Sequence, residues 1–281
     1  MSELLLFKTL WGFSGSLAQA QNLAAAQGFD GLELNLHHSC LAGLTTQQVL
    51  ETFSQARQGL IVEIVTGGDY VPSLERGPAQ QLQELGERLQ QALELQPLRI
   101  SVIAGSDAWG AQQQREFWGE AVALAKGAAA PVSFETHRSR SLFNPWTIED
   151  WLSTYPDLRL TADLSHWCAV AERLMTPELT PIQAMAERVD HIHARVGHAQ
   201  GPSVGHPLAP EWAEALEAHR RCWALFSQSQ RRRGLAPRTM TPEFGPDGYL
   251  PQLPFTGQPV ADLEEINCSL GAWIKAGALE R

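Results

Sequence analysis

Residues 98–137, LRISVIAGSDAWGAQQQREFWGEAVALAKGAAAPVSFETH, decide the fold. An apolar, β-branched run (98–104) leads into an Ala-, Gln- and Glu-rich segment (111–127) whose apolar residues recur at helical spacing. That segment stops at Gly127, and a second β-branched run follows (132–137). This is a strand–helix–strand unit, and the pattern extends in both directions. Strand-type runs occur at 4–11, 30–36, 60–66, 98–104, 132–137, 158–163, 189–195 and 238–244, separated by segments such as SLAQAQNLAAAQ and AQQLQELGERLQQALEL. Ser14, Thr45 or Thr46, and Thr147 with Asp150 three residues on read as helix starts, and Gly28 and Gly127 as helix ends. Eight βα units with no Gly-x-Gly-x-x-Gly after the first strand predict an α/β protein, a closed (β/α)8 TIM barrel formed by one domain over 1–281.

Composition narrows the function classes. The 281 residues are 44% hydrophobic and 19% charged, an ordinary globular composition with enough apolar surface for a large core. A formal net charge of −10 disfavours nucleic acid as a partner, and the one basic run, Arg231 to Arg233, reads as a solvated helix end. No apolar run approaches the ~18 residues a membrane helix needs, and the opening MSELLLFKTLWG lacks a basic leader, so no membrane association and a cytoplasmic location are expected. Cys40, Cys168, Cys222 and Cys268 are widely spaced and are expected to be reduced.

Side chains alternate along a strand, which sorts each run into two faces. In 132–137 Val132 and Phe134 share a face, leaving Ser133, Glu135 and His137 on the other. In 158–163 Arg159, Thr161 and Asp163 oppose the leucines. In 189–195 His191 and His193 stand together, and in 238–244 Thr239, Thr241 and Glu243 do. Four consecutive strands thus direct polar residues inward, where a purely structural barrel would carry Val, Ile and Leu. Glu135, Asp163, His193 and Glu243 converge at one end, and three ionised acids there would repel one another unless a cation joins them. Three carboxylates with one imidazole suit a single divalent ion, Mn, Mg, Co or Zn, the harder ions better than a thiolate-type zinc site does.

In order and spacing, GFDGLEL, FETH, ADLSH, HIHAR and PEFGP on strands two, five, six, seven and eight resemble the xylose isomerase-like sugar isomerase/epimerase superfamily. The resemblance implies one metal held by Glu135, Asp163, His193 and Glu243, a substrate or metal role for His166, and a substrate contact for Arg195. It also separates the chain from relatives that cut DNA with three zinc ions, because LIVEIVTGGDY and LRISVIAGSDAW carry no histidine.

The chemistry expected of these parts is proton transfer beside a carbonyl through an enediolate, with positive charge next to the developing oxygen. Glu135 and Glu243, on separated strands, are the expected acid and base. His137, Glu33 and the loop histidine His206 are candidate substrate contacts, and a sugar or sugar phosphate is the expected ligand. The loop 196–210 is a candidate cover, and Trp11, Trp109 and Trp167 are candidates for an apolar wall. Glu63 is left between the site and a core ion pair, and Asp107 and Arg138 stay unassigned. A metal-dependent dehydratase of a polyol ketone and a catalytically silent sugar-binding barrel are the alternatives. The metal's identity and a homo-oligomeric state are left open.

Overall fold

Eight parallel strands close into a barrel in the order β1-β2-β3-β4-β5-β6-β7-β8. The computed structural model describes residues 3–246 and 248–280. The strands are β1 (Leu4–Thr9), β2 (Gly31–Asn35), β3 (Gly59–Val65), β4 (Arg99–Ile103), β5 (Val132–Glu135), β6 (Leu160–Ala162), β7 (Val189–Ala194) and β8 (Arg238–Pro242). The main helices between and after them are α1 (Leu17–Ala26), α2 (Thr46–Ala56), α3 (Pro78–Glu94), α4 (Ala111–Gly127), α5 (Ile148–Thr154), α6 (Leu164–Ala171), α7 (Thr180–Ala186), α8 (Ala213–Arg232) and α9 (Leu263–Lys275).

The outward residues of the strands make the core with the helices. Leu32, Val62, Ile64, Val102, Phe134, Ile192 and Met240 are buried against residues such as Leu85, Phe117, Trp118, Trp223 and Leu270. Trp118 meets Phe134 edge to face at 5.0 Å, a geometry that adds about 0.5–1.5 kcal/mol to area burial. Because the apolar work is done outside the sheet, the barrel interior can be polar. Ser101 and Ser133 both meet the Thr161 hydroxyl, at 2.9 and 2.7 Å. At the amino-terminal mouth Asp190 gathers Arg159, Arg233 at 2.8 Å and Arg99 at 3.8 Å, an ion cluster that closes the end opposite the site.

Local rules explain most boundaries. Thr45 caps α2 in a reciprocal box with Gln48, as expected. The first helix is capped by Ser16 rather than Ser14, because Gln19 lies three residues beyond Ser16 and returns the bond. Thr147 precedes α5 without a side-chain cap and instead donates to the Asn144 carbonyl at 3.1 Å. Arg231, Arg232 and Arg233 do end a helix, but they are not simply solvated: they face Glu280 at 3.5 Å, Glu187 at 2.8 Å and Asp190 at 2.8 Å. The four cysteines are free, and no helix among the described residues is long and apolar enough to cross a membrane.

Candidate metal and catalytic site

The strands end sooner than their apolar runs suggest, and those early ends build the site. Glu135 closes β5, His193 lies inside β7, and Asp163 and Glu243 sit one residue beyond β6 and β8. The ligand atoms of all four residues are within 4.8 Å of one another, and all four residues are buried. His193 Nδ1 lies 2.9 Å from Glu243 Oε2 and 3.5 Å from Glu135 Oε2.

Two atoms of this group carry a specific signal. Glu135 Oε2 and His193 Nδ1 are buried and make no well-formed hydrogen bond, although they face one another at 3.5 Å. A lone pair on imidazole and a carboxylate oxygen aimed at one point fit a divalent ion. His193 Nε2 faces Glu33 Oε1 at 3.0 Å and donates there, so once a cation displaces the ring's other proton, Nδ1 is the atom left to ligate. Glu33 thus positions the ring. Its other oxygen accepts from His191 Nε2 at 3.1 Å, and His191 Nδ1 meets Thr239 Oγ1 at 2.8 Å. Glu33→Gln, read by metal titration, is expected to weaken divalent-ion affinity by about 10–100-fold, the usual loss when a ligand's outer partner is removed.

Asp163 has two duties. Its Oδ1 caps α6, accepting from Ser165 N at 2.9 Å and Ser165 Oγ at 2.5 Å, while Oδ2 pairs with Arg195. Arg195, buried, also donates to Ser165 Oγ at 2.9 Å and to His166 Nε2 at 2.7 Å. His166 lies 3.6 Å from Glu135 Oε1 and its ring centroid is 4.0 Å from that of His137. Burial first, and then the charge of Arg195 and neighbouring groups, hold His137 and His166 well below the usual imidazole range, so both rings are neutral.

The charged forms elsewhere follow from the same burial. Burial pushes Glu243 up to about 8, opposed by His193 and reinforced by Glu135. Burial also works against a charged His193, but Glu243, Glu33 and Glu135 outweigh it and hold the imidazolium well above its ordinary value. The metal-free cluster therefore retains protons near neutrality that a cation must displace. Divalent-ion affinity is expected to fall from pH 8 to pH 6, by about tenfold per pH unit for each proton released. Titration calorimetry in buffers of different ionisation heat measures both slope and proton count.

Above the tetrad opens a cavity of about 700 Å³, lined by Glu135, His137, Arg195 and Glu243 together with Glu63, Asp107, Arg138 and an aromatic wall of Trp11, Tyr70 and Tyr249. Trp11 meets Tyr249 edge to face at 4.9 Å. Trp109 packs instead on Phe117, and Trp167 is fully buried with its indole donating to the Leu142 carbonyl at 2.8 Å. Glu63 accepts from Tyr70 Oη at 3.1 Å and Asn35 Nδ2 at 3.0 Å. Burial, reinforced by Glu135, pushes its carboxyl up to about 7.

The loop 196–210 does not reach this cavity. Val196 and Val204 are buried and joined by a backbone bond of 3.0 Å, which pins the loop to the barrel. His206, expected at the substrate, instead faces Glu265 of α9 at 2.9 Å. The segment after β8 supplies the cover through Tyr249. Sequence reasoning also passed over Arg140, whose buried guanidinium donates to the carbonyls of Tyr70 at 2.9 Å, Thr66 at 2.7 Å, Gly105 at 3.2 Å and Asp69. It ties the loops after β3 and β4 into one cavity wall. Two of the chain's three tyrosines stand in loops after strand ends, which is the signal that would have found Tyr70 and Tyr249.

No protein-family model matches the chain, and no curated protein matches it in sequence. Solved structures do share its architecture. L-ribulose 3-epimerase is 14% identical with a TM-score of 0.69, covering 100% of this chain and 95% of that one. The probable 3-DHS dehydratase AsbF of Bacillus anthracis is 15% identical at 0.63, covering 98% and 99%. Endonuclease IV of Thermus thermophilus is 15% identical at 0.61, covering 97% and 99%. The chain has the xylose isomerase-like TIM-barrel fold.

Proposed function

We propose that the chain is a divalent-metal-dependent isomerase or epimerase of a small polyhydroxylated carbonyl compound, a sugar or sugar phosphate, working by proton transfer beside the carbonyl. The observation that carries this reading is the buried tetrad at the floor of the cavity, whose three carboxylates and one imidazole bring their ligand atoms within 4.8 Å of one another. Epimerases of sugars are among the solved structures with this fold.

The tetrad Glu135, Asp163, His193 and Glu243 would hold the ion, and when bound it supplies positive charge beside the substrate oxygens. The chain's own groups then divide the remaining work. Glu135 and Glu243 both line the cavity from strands on different sides of the barrel, so each can exchange a proton with a substrate carbon on its own face. Burial raises the basicity of Glu243 and coordination to the ion would lower it, so the balance of the two sets its strength as a base. Trp11, Tyr70 and Tyr249 exclude water and offer rings to the apolar faces of a sugar. Arg195 contributes fixed charge at the cavity edge.

A dehydratase is the second reading, favoured by the neutral His137 and His166 rings beside Glu135. Such a pair can take a proton from carbon and hand one to a departing hydroxyl. Incubation of the metal-loaded protein with a panel of ketoses, aldoses and keto acids in D₂O tests both. The proposal expects deuterium beside the carbonyl of a product with the substrate's heavy-atom composition. Products lighter by one water would assign the dehydratase, and the absence of exchange or turnover across the panel would overturn the catalytic reading.

A further inference from the structure

We propose that the substrate of this site carries a carboxylate and that Arg138 is the residue that binds it. The inference rests on the reading of the tetrad as the reacting centre and names what stands at the substrate's other end.

Charge in the cavity is sharply divided. Glu63, Asp69, Asp107, Glu135 and Glu243 all line it, and Asp69 and Asp107 stand on the wall outside the tetrad. Two guanidinium groups also line it. The charge of Arg195 is already answered, because it pairs with Asp163 and lies 4.0 Å from Glu243. Arg138 is different: it forms no ion pair and no side-chain hydrogen bond among the described residues, and its Cζ rests 4.7 Å from the Tyr249 ring centroid. A ring face holds a guanidinium in place without using its N–H donors. The fork is therefore oriented and left open at the cavity wall.

The next residue supports a binding role. Ser139 also lines the cavity, and its Oγ is buried without a partner. Its φ of 61° lies in the left-handed region, which a serine occupies at a cost of about 1 kcal/mol or more. Strain of that kind persists where surrounding structure commits the backbone to one presentation of its side chains. Here the neighbouring Arg140 is that commitment, through its bonds to four carbonyls.

The geometry favours a carboxylate over a phosphate. One planar fork matches the two oxygens of a carboxylate in a bidentate pair. A phosphate dianion would bring more charge against the acids of the wall, Asp69 and Asp107 among them. Capture of the carboxylate by Arg138 leaves the carbonyl end of the ligand free to face the tetrad.

Three six-carbon ketoses that differ only at C6 test this by calorimetry on Mn²⁺-loaded protein: D-fructuronate, D-fructose and D-fructose 6-phosphate. The keto acid is expected to bind at least ~10-fold more tightly than D-fructose, the lower range for a hydrogen-bonded charge pair, and at least as tightly as the phosphate. Arg138→Gln should bring the affinities for keto acid and D-fructose to within about twofold of each other, and Arg138→Lys should restore part of the difference. Equal binding of keto acid and fructose to the wild type, an advantage that survives Arg138→Gln, or tightest binding of the phosphate would each overturn the proposal. Elemental analysis of the same samples separates the two layers of the argument. Protein that takes up no metal refutes the tetrad reading, whereas metal-loaded protein with no preference refutes the carboxylate alone.

Discussion

Glu135→Gln and Glu243→Gln are each expected to lose turnover by at least ~100-fold while the protein still folds and retains an oxygen ligand at the changed position. The size follows from the role assigned to these groups. Both face the cavity, and burial raises the basicity of Glu243, which an amide cannot reproduce. The two variants should differ in a second way. Glu135 Oε2 makes no well-formed hydrogen bond, so its replacement removes one atom aimed at the ion. Glu243 sits 2.9 Å from His193 and 4.0 Å from Arg195, so its amide also leaves the Arg195 charge less well neutralised. Steady-state kinetics with metal content determined on the same samples checks the result. Unchanged turnover in both metal-loaded variants would contradict proton transfer by the two carboxylates.

His193→Ala is expected to have the largest effect on metal binding, exceeding the ~10–100-fold range for loss of an outer partner. The imidazole provides the tetrad's nitrogen donor, and Glu33 has oriented it for that purpose. Its loss also leaves Glu33, Glu135 and Glu243 buried near one another with less positive charge among them. Folding should survive, since the core lies outside the sheet. Asp163→Ala is a poorer probe, because it also removes the cap of α6 and strands Arg195. Asp163→Asn keeps the cap and isolates the charge.

The barrel and the tetrad were legible for one reason: both rest on period. A two-residue alternation in 132–137, 158–163, 189–195 and 238–244 separates wall from interior, and each run carries one inward acid or imidazole of the tetrad near its carboxyl end. What alternation cannot carry is the path of the chain after it leaves the sheet. Asp163 becomes a helix cap only because α6 begins at the next residue. Loop 196–210 was read as a cover from its Gly and Pro content, yet its two valines hold it down against the barrel. The cover comes from Tyr249, and Arg140 shapes the wall by bonds to backbone carbonyls in loops about 70 and 35 residues away. Those contacts exist only in three dimensions.

The most direct test of the account is a crystal soaked in Mn²⁺ and measured at the manganese absorption edge. One anomalous peak per chain, coordinated by Glu135, Asp163, His193 Nδ1 and Glu243, is the predicted result. Density without a peak between these four residues, in a protein that is otherwise folded as described, would contradict the claim that this tetrad is a metal centre.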